Sequence, residues 1–321
     1  MEKFKKIGII VLIVLIAVGL IKNTLIKTVV TVAASEVVGA PVHIDSLAVG
    51  IFKHSIQIKG FKLYNPSGFP REPMMDIPQI RVDYSLLDLF KGKLHCPLLI
   101  LDLKEMVVVK DREGKLNVDA LKVTQKSQEP AKKEEATKPS KDMAIRIDEA
   151  HLNLGQVVVK DYTKGEPPSI QAYDSGVYNK VFKDINSAEQ FAALIMVQAM
   201  GPTALRSAGI YGAASVLGVA FLPAGVAGVL LGKDSGAGEY QVDFKKAYAV
   251  AKEVVQIRGE IVAEDQSKGF IKAKVDGSDI KIQITSKDKN KVTIDASARQ
   301  MMLPKLEVAQ GVLYQIAEKL K

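Results

Sequence analysis

The chain has a single cysteine, Cys96, and no tryptophan. One cysteine excludes an intrachain disulfide and any metal site built from several thiolates. Cys96 lies between His95 and Pro97 at the start of an apolar stretch and reads as a core residue. The four histidines, His43, His54, His95 and His151, never fall at the spacing of a metal-binding pair; they read as polar strand positions. There is no Gly-x-Ser-x-Gly elbow, and the acidic residues form no recognisable catalytic pair. Gly232-Lys233 is reminiscent of a phosphate loop. However, Ala227 stands where the first glycine belongs, and Asp234 where Ser or Thr would hold magnesium. These absences point away from an enzyme and leave no cofactor or metal to expect. The charges, 44 basic against 36 acidic for a net +8, are interspersed along the chain and lack the aromatic interleaving of nucleic-acid modules. They read as a solvated basic surface with some attraction to anionic lipid, and nucleic acid is not an expected partner.

The 321 residues suffice for two modest domains. At the start, Lys3, Lys5 and Lys6 precede an uncharged apolar run over residues 7–21, which includes Ile7, Val11, Leu15, Val18 and Ile21. That run is shorter than the roughly 20 residues that span a bilayer. Phe4 and residues 23–26 extend it if Lys22 reaches back to the head groups. A cleaved signal peptide would need small residues soon after Ile21, and the first candidates, Ala33-Ala34-Ser35, come late. The reading is an uncleaved membrane anchor helix over 1–38, stopped by Gly39-Ala40-Pro41. The lysines place its N-terminus in the cytoplasm.

After Pro41 the hydrophobic period changes to two, the signature of strands with one apolar face. Ile56 and Ile58 alternate with Gln57 and Lys59. Gly60 interrupts as a bulge, and Phe61 and Leu63 resume. Ile80 and Val82 alternate with Arg81 and Asp83. Asn65-Pro66-Ser67-Gly68 marks a turn. Residues 85–92 read as a short helical turn ending at Gly92. Residues 98–103 and 106–109 are nearly continuous apolar strands, and Asp111-Arg112-Glu113-Gly114 is a turn.

These segments carry a resemblance. The run Ile58-Lys59-Gly60-Phe61-Lys62-Leu63-Tyr64-Asn65-Pro66-Ser67-Gly68-Phe69 and the turn Asp111-Arg112-Glu113-Gly114-Lys115-Leu116-Asn117, in this order behind a membrane helix, resemble the N-terminal module of the AsmA family of bacterial envelope proteins. The resemblance covers about residues 1–160. It implies a sheet curled into a gutter with an apolar inside, similar to bridge-like lipid transfer proteins. On that reading Ile56, Ile58, Phe61, Leu63, Ile80, Val82, Leu99, Leu101, Ile145 and Ile147 line a groove for acyl chains. On the alternative they are the core of a sheet packed on a helix. A groove crossing a whole periplasm needs far more strands than this module supplies.

Residues 122–142 are polar, mixed in charge and proline-containing, and read as a disordered insertion in a β module over 42–165. Residues 181–200 read as a helix, with Ser187 as a possible N-cap. Residues 207–232 carry no charge and are rich in Gly and Ala. They fit a second membrane span, a glycine-zipper hairpin against membrane or protein, or a buried helical pair. The hairpin is preferred, because Pro223 would kink a single helix. This segment also offers a surface for self-association. From about 238 to 321 the pattern predicts a strand, a helix over 244–255, four short alternating strands and a closing helix over 305–320. That is a small sheet covered on one face by two helices. This part resembles the small domain of unknown function carried by many bacterial envelope lipoproteins, where a Gly/Ala-rich stretch also leads into Gly-x-Gly, here Gly236-Ala237-Gly238. Unlike those, this chain has no lipoprotein cysteine.

The expected architecture is therefore α+β: an N-terminal transmembrane helix, a curled antiparallel-rich sheet, a helical and Gly/Ala-rich apolar part over 178–232, and a small C-terminal α+β sandwich. The expected setting is the bacterial inner membrane, spanned once, with the bulk in the periplasm. The expected partners are membrane lipid and other envelope proteins. The expected role is acyl-chain binding or support of lipid trafficking and outer-envelope assembly. The alternative is a non-catalytic membrane-anchored scaffold.

Overall fold

The structure is a computed structural model that describes residues 23–50, 53–125, 145–203, 205 and 234–321. A helix over residues 23–38, α1, leads into a six-stranded sheet. Its strands are β1 (Val42–Gly50), β2 (Ser55–Tyr64), β3 (Pro73–Asp83), β4 (Leu94–Lys110), β5 (Ile145–Asp161) and β6 (Ser169–Ile185), and they lie side by side in chain order. Every neighbouring pair is antiparallel except β4 and β5, which run parallel over Leu94↔Ile145 to Lys110↔Asp161. The sheet is thus mixed. A parallel pair needs a connection that returns the chain to the starting end. A strand of 17 residues is about 50 Å long at ~3.3 Å per residue. The insertion read as disordered over 122–142 falls in this connection; its first residues form the short helix α3 (Lys122–Gln125), where Thr124 is buried, and the rest lies outside the described residues.

One transverse line bends most of the sheet. Along a regular strand the inward residues are two apart, but here they step by three: Ile44 to Leu47, Ile58 to Phe61, Ile77 to Ile80, Leu103 to Met106 and Leu154 to Val157. The ladder omits Asp45 against Gly60, Gly60 against Pro78, and Lys104 against Gly155. In β6 the register against β5 shifts twice between Leu152 and Gln156. An unmatched extra residue would turn the apolar set of one strand to the wrong face. Skipping on neighbouring strands together keeps one face apolar on both sides of the bend. The residue types suit this place. Gly60 has φ +60°, and a Cβ there would collide with the Asp45 carboxylate. Pro78, without an N–H, sits where a ladder bond is skipped. A Cβ on Gly155 would fall 2.5 Å from the Lys104 carbonyl oxygen.

The two family-like motifs meet at the far end of the sheet. Asn117, fully buried, accepts from the Val109 N–H at 3.0 Å and donates to the Val107 carbonyl at 3.0 Å and to Asn65 Oδ1 at 2.6 Å. Asn65 in turn donates to the Pro70 carbonyl. Asp111 Oδ1 accepts from the N–H groups of Glu113 and Lys115, closing the turn at Gly114.

β6 departs from the sequence reading. The sequence reading includes residues 181–185 in a helix over 181–200, whose apolar face it draws from Phe191, Leu194, Ile195 and Val197. Residues 181–185 pair instead with β5, Phe182 with Ala150 and Ile185 with Ile147. The helix, α4 (Ala188–Met200), starts only after Ser187, whose hydroxyl accepts from the Gln190 N–H. No helix among the described residues is long and apolar enough to cross a membrane. The anchor residues Ile7, Val11, Leu15, Val18 and Ile21 and the apolar segment 207–232 lie outside the described residues.

The C-terminal unit matches its pattern closely. β7 (Ser235–Tyr240), α5 (Phe244–Arg258), β8 (Gly259–Asp265), β9 (Phe270–Val275), β10 (Ser278–Asp288), β11 (Lys291–Gln300), β12 (Leu303–Pro304) and α6 (Leu306–Leu320) form a second sheet with both helices on its buried face. This unit sits against the far end of β6. Gly311 of α6 approaches so closely that a Cβ would fall 2.1 Å from the Ile170 oxygen. The Arg258 side chain, 2% exposed, pairs with Asp276 and donates to Ser169 Oγ and the Ile170 carbonyl. Tyr314 closes a small cluster with Val107, Val109, Val158 and Ala172 on the outer face.

Two substitutions test this account. Gly155→Val forces a branched side chain against the Lys104 backbone and is expected to lower stability by about 1–3 kcal/mol, read from urea unfolding. Asn117→Leu keeps the volume but leaves the Val109 N–H and the Val107 and Asn65 oxygens unpaired. At about 1–3 kcal/mol for each buried orphan group, it should lower the urea midpoint at least as far as Gly155→Val.

Candidate functional site

The bend leaves one apolar face running the length of the sheet. All ten residues read as groove-lining lie on it within a single cluster. Leu63 and Leu101 are deeply buried, as are Ile58, Ile80, Leu99 and Ile147. Ile56, Phe61, Val82 and Ile145 are half-buried. Ile56 pairs with Val82, and Val82 with Leu99. Leu94, also half-buried, pairs with Ile145. Together with Val49 these residues form a partly open end of the face, where β1, β3 and β6 finish and β2, β4 and β5 begin.

The rest of the face is covered. Ile26, Val30 and Val38 of α1 pack against it, as do Ile195, Met196, Val197 and Met200 of α4 and Leu116, Val118 and Leu121 from the connection after β4. The sequence reading gave the helix over 181–200 and weighed a sheet packed on a helix, but it did not single out the residues of α1 and of the connection after β4 as cover, or the edge residues Val49 and Leu94. A signal for the edge was present, since Val49 and Leu94 border Gly50 and Lys93 at the strand ends. The strands themselves could not tell cover from ligand, because alternation looks the same whether the apolar side meets a helix or a ligand.

The open end carries the strongest electrostatic arrangement on this unit. His95 Nδ1 lies 2.8 Å from Asp88 Oδ2, and Nε2 lies 2.7 Å from Asp148 Oδ2. Both nitrogens face carboxylates, an arrangement that favours the doubly protonated ring, in which both donate. Its hydrogen bonds to Asp148 and then Asp88 raise the His95 pKa. The Asp148 carboxyl is held low by His95 and Arg146, and that of Asp88 by Ser85 and His95. The adjoining Cys96 is buried in the apolar cluster, and burial pushes its thiol up to about 11. It is a core residue, as the sequence indicated, and a poor nucleophile. Among the described residues no group of three or more His, Cys, Asp or Glu side chains is arranged to hold a metal ion. The face can hold apolar matter, and its partly open end is bordered by charge.

Neither the curated proteins nor the solved structures contain a match to this chain. The family model described as AsmA family does match, over residues 1–209. The matched stretch takes in α1, the whole bent sheet and α4, and it contains both motifs that meet at Asn65 and Asn117. It stops short of the C-terminal unit, whose resemblance to a lipoprotein domain receives no support from the comparison. With 209 of its 321 residues matched, the chain belongs to the AsmA family and is an envelope-associated protein.

Proposed function

We propose that this protein is anchored in the inner membrane by residues 7–21, projects its bulk into the periplasm, and binds lipid acyl chains on the apolar face of its six-stranded sheet. The observation that carries the reading is the position of the open end. Asn23, two residues beyond the apolar run, accepts a hydrogen bond from the Val49 N–H at 3.2 Å. The chain therefore enters at the end of the sheet where Ile56, Val82, Leu94 and Ile145 are accessible. A lipid leaving the bilayer would meet that end first. No group in this arrangement is assigned a catalytic role.

A second reading is favoured by the helices over the face. If α1 and α4 stay closed, the face is simply a core, and the protein is a membrane-anchored scaffold that docks envelope partners.

Two experiments test these proposals. A phospholipid with a photoactivatable acyl chain should label the full-length protein, and Val82→Glu, which puts a charge at the open end, should abolish labelling while the melting temperature stays near that of the wild type. Equal labelling of the wild type and a well-folded variant, or no labelling of either, favours the scaffold. Reporters active on only one side of the membrane, fused after Met200 and after Lys321, should both report the periplasm. A cytoplasmic signal at Lys321 would overturn the single-span topology.

A further inference from the structure

The connection between β3 and β4 contains a helix with an unusual composition. α2 (Leu86–Phe90) has four large apolar residues in five, and none of its side chains is buried. Leu87 is 74% exposed and Phe90 81%, and Leu89 is also exposed. An exposed apolar group of this kind on a small surface marks a contact site. The helix is held in this presentation. Ser85 Oγ accepts from the Asp88 N–H at its start, and Gly92, at φ +74°, ends it. Its one polar residue, Asp88, is bonded to His95. The carboxylates around it are also bonded to cations, Asp83 to Arg81 and Asp148 to Arg146. Lys91 and Lys93 follow the helix directly and are exposed, Lys91 Nζ lying 4.0 Å from Asp88 Oδ1, and Lys53 is exposed in the connection between β1 and β2 at the same end of the sheet.

The position of α2 identifies the surface it meets. It joins the end of β3 to the start of β4, the same end at which Val49 bonds Asn23. One residue, Lys22, separates Ile21 from the helix that begins the described chain. At no more than about 3.6 Å per residue, that spacing holds this end of the sheet at the surface of whatever bilayer contains residues 7–21. Apolar side chains ringed by lysine suit the boundary between head groups and acyl chains in an anionic leaflet.

We propose that α2 is a membrane wedge: Leu87, Leu89 and Phe90 enter the head-group layer of the anionic bilayer that holds the anchor, Lys53, Lys91 and Lys93 contact its phosphates, and the open end of the apolar face is thereby seated on the lipid. The inference rests on the anchor reading above and adds a second point of membrane contact, which fixes the tilt of the sheet. One point of attachment leaves rotation about it open, and a second removes it.

The absence of tryptophan provides the test, because each introduced tryptophan is the protein's sole indole. The full chain carrying Phe90→Trp, Leu15→Trp or Met301→Trp is reconstituted into vesicles of phosphatidylcholine and phosphatidylglycerol. Quenching is then measured with lipid brominated high on the acyl chain and with aqueous acrylamide. Met301 is 91% exposed on the C-terminal unit, which sits about 50 Å away along the strands, and serves as the aqueous reference. The expected result is several-fold stronger quenching by brominated lipid for Phe90→Trp than for Met301→Trp, a blue-shifted emission, and protection from acrylamide. If Leu15→Trp is quenched by brominated lipid while Phe90→Trp behaves like Met301→Trp, the wedge is overturned and the anchor stands. If Leu15→Trp is not quenched, the anchor reading fails and the wedge with it.

Discussion

The N-terminal unit depends on one geometric constraint: its long strands must bend without losing their single apolar face. Strands as long as the 17 residues of β4 and β5 twist strongly, and a bulge on one strand alone would turn its remaining side chains over. The chain meets the constraint by omitting a residue from neighbouring strands at one level, with Asp45, Gly60, Pro78, Lys104 and Gly155 along the line. The cluster runs unbroken across that line. The covering helices and the open end both follow from a face that stays apolar from end to end.

The Asn65–Asn117 contact fixes the far end of that face. The two asparagines are 52 residues apart in the chain and share a buried hydrogen bond. Each also satisfies backbone groups of its own turn. Asn117 pairs the N–H of Val109 and the carbonyl of Val107 on β4. Asn65 holds the approach to β3 through the Pro70 carbonyl. Fully satisfied buried networks of this kind specify one arrangement, whereas a partly satisfied one is costly. This gives a physical reason for both motifs to appear in the same chain.

Much of this fold was legible in the sequence, where local chemistry decides it. In the C-terminal unit, alternation in β10 and β11 is regular and the helices are amphipathic, so the main elements could be read directly, although α5, β10 and β11 extend two or three residues beyond the bounds read and the two-residue β12 was not read. Gly60, the Ser187 cap and the Asp111 turn were legible for the same reason. Residues 181–185 were not, because their apolar spacing fits a helix as well as a strand and pairing with β5 decides between them. The ten groove candidates fall in one cluster, but the choice between a ligand groove and a sheet packed on a helix stayed open in the sequence. Alternation reports that a side is apolar and says nothing about what lies on it. The short helix α2 could be read as an element from Ser85 and Gly92. Its exposure could not, since four apolar residues in five look like core until the neighbouring strands are placed.

The energetics of the covering layer decide whether the face can serve lipid. α1 is pinned along its length: Asn23 accepts from the Val49 N–H, Ser35 Oγ accepts from the Val42 N–H, and Lys122 donates to the Glu36 carbonyl. α4 is the more displaceable layer. It places Ile195, Met196, Val197 and Met200 in the cluster, and burial of side chains of this size contributes about 2 kcal/mol each, or about 8 kcal/mol together. An acyl chain gains about 0.8 kcal/mol per methylene removed from water, so about ten methylenes match the helix. Acyl chains of membrane length exceed that, and short detergents or fatty acids do not. By this ledger α4 holds the face shut toward small amphiphiles in water, and a lipid tail already buried in a bilayer brings no hydration gain of its own to displace it.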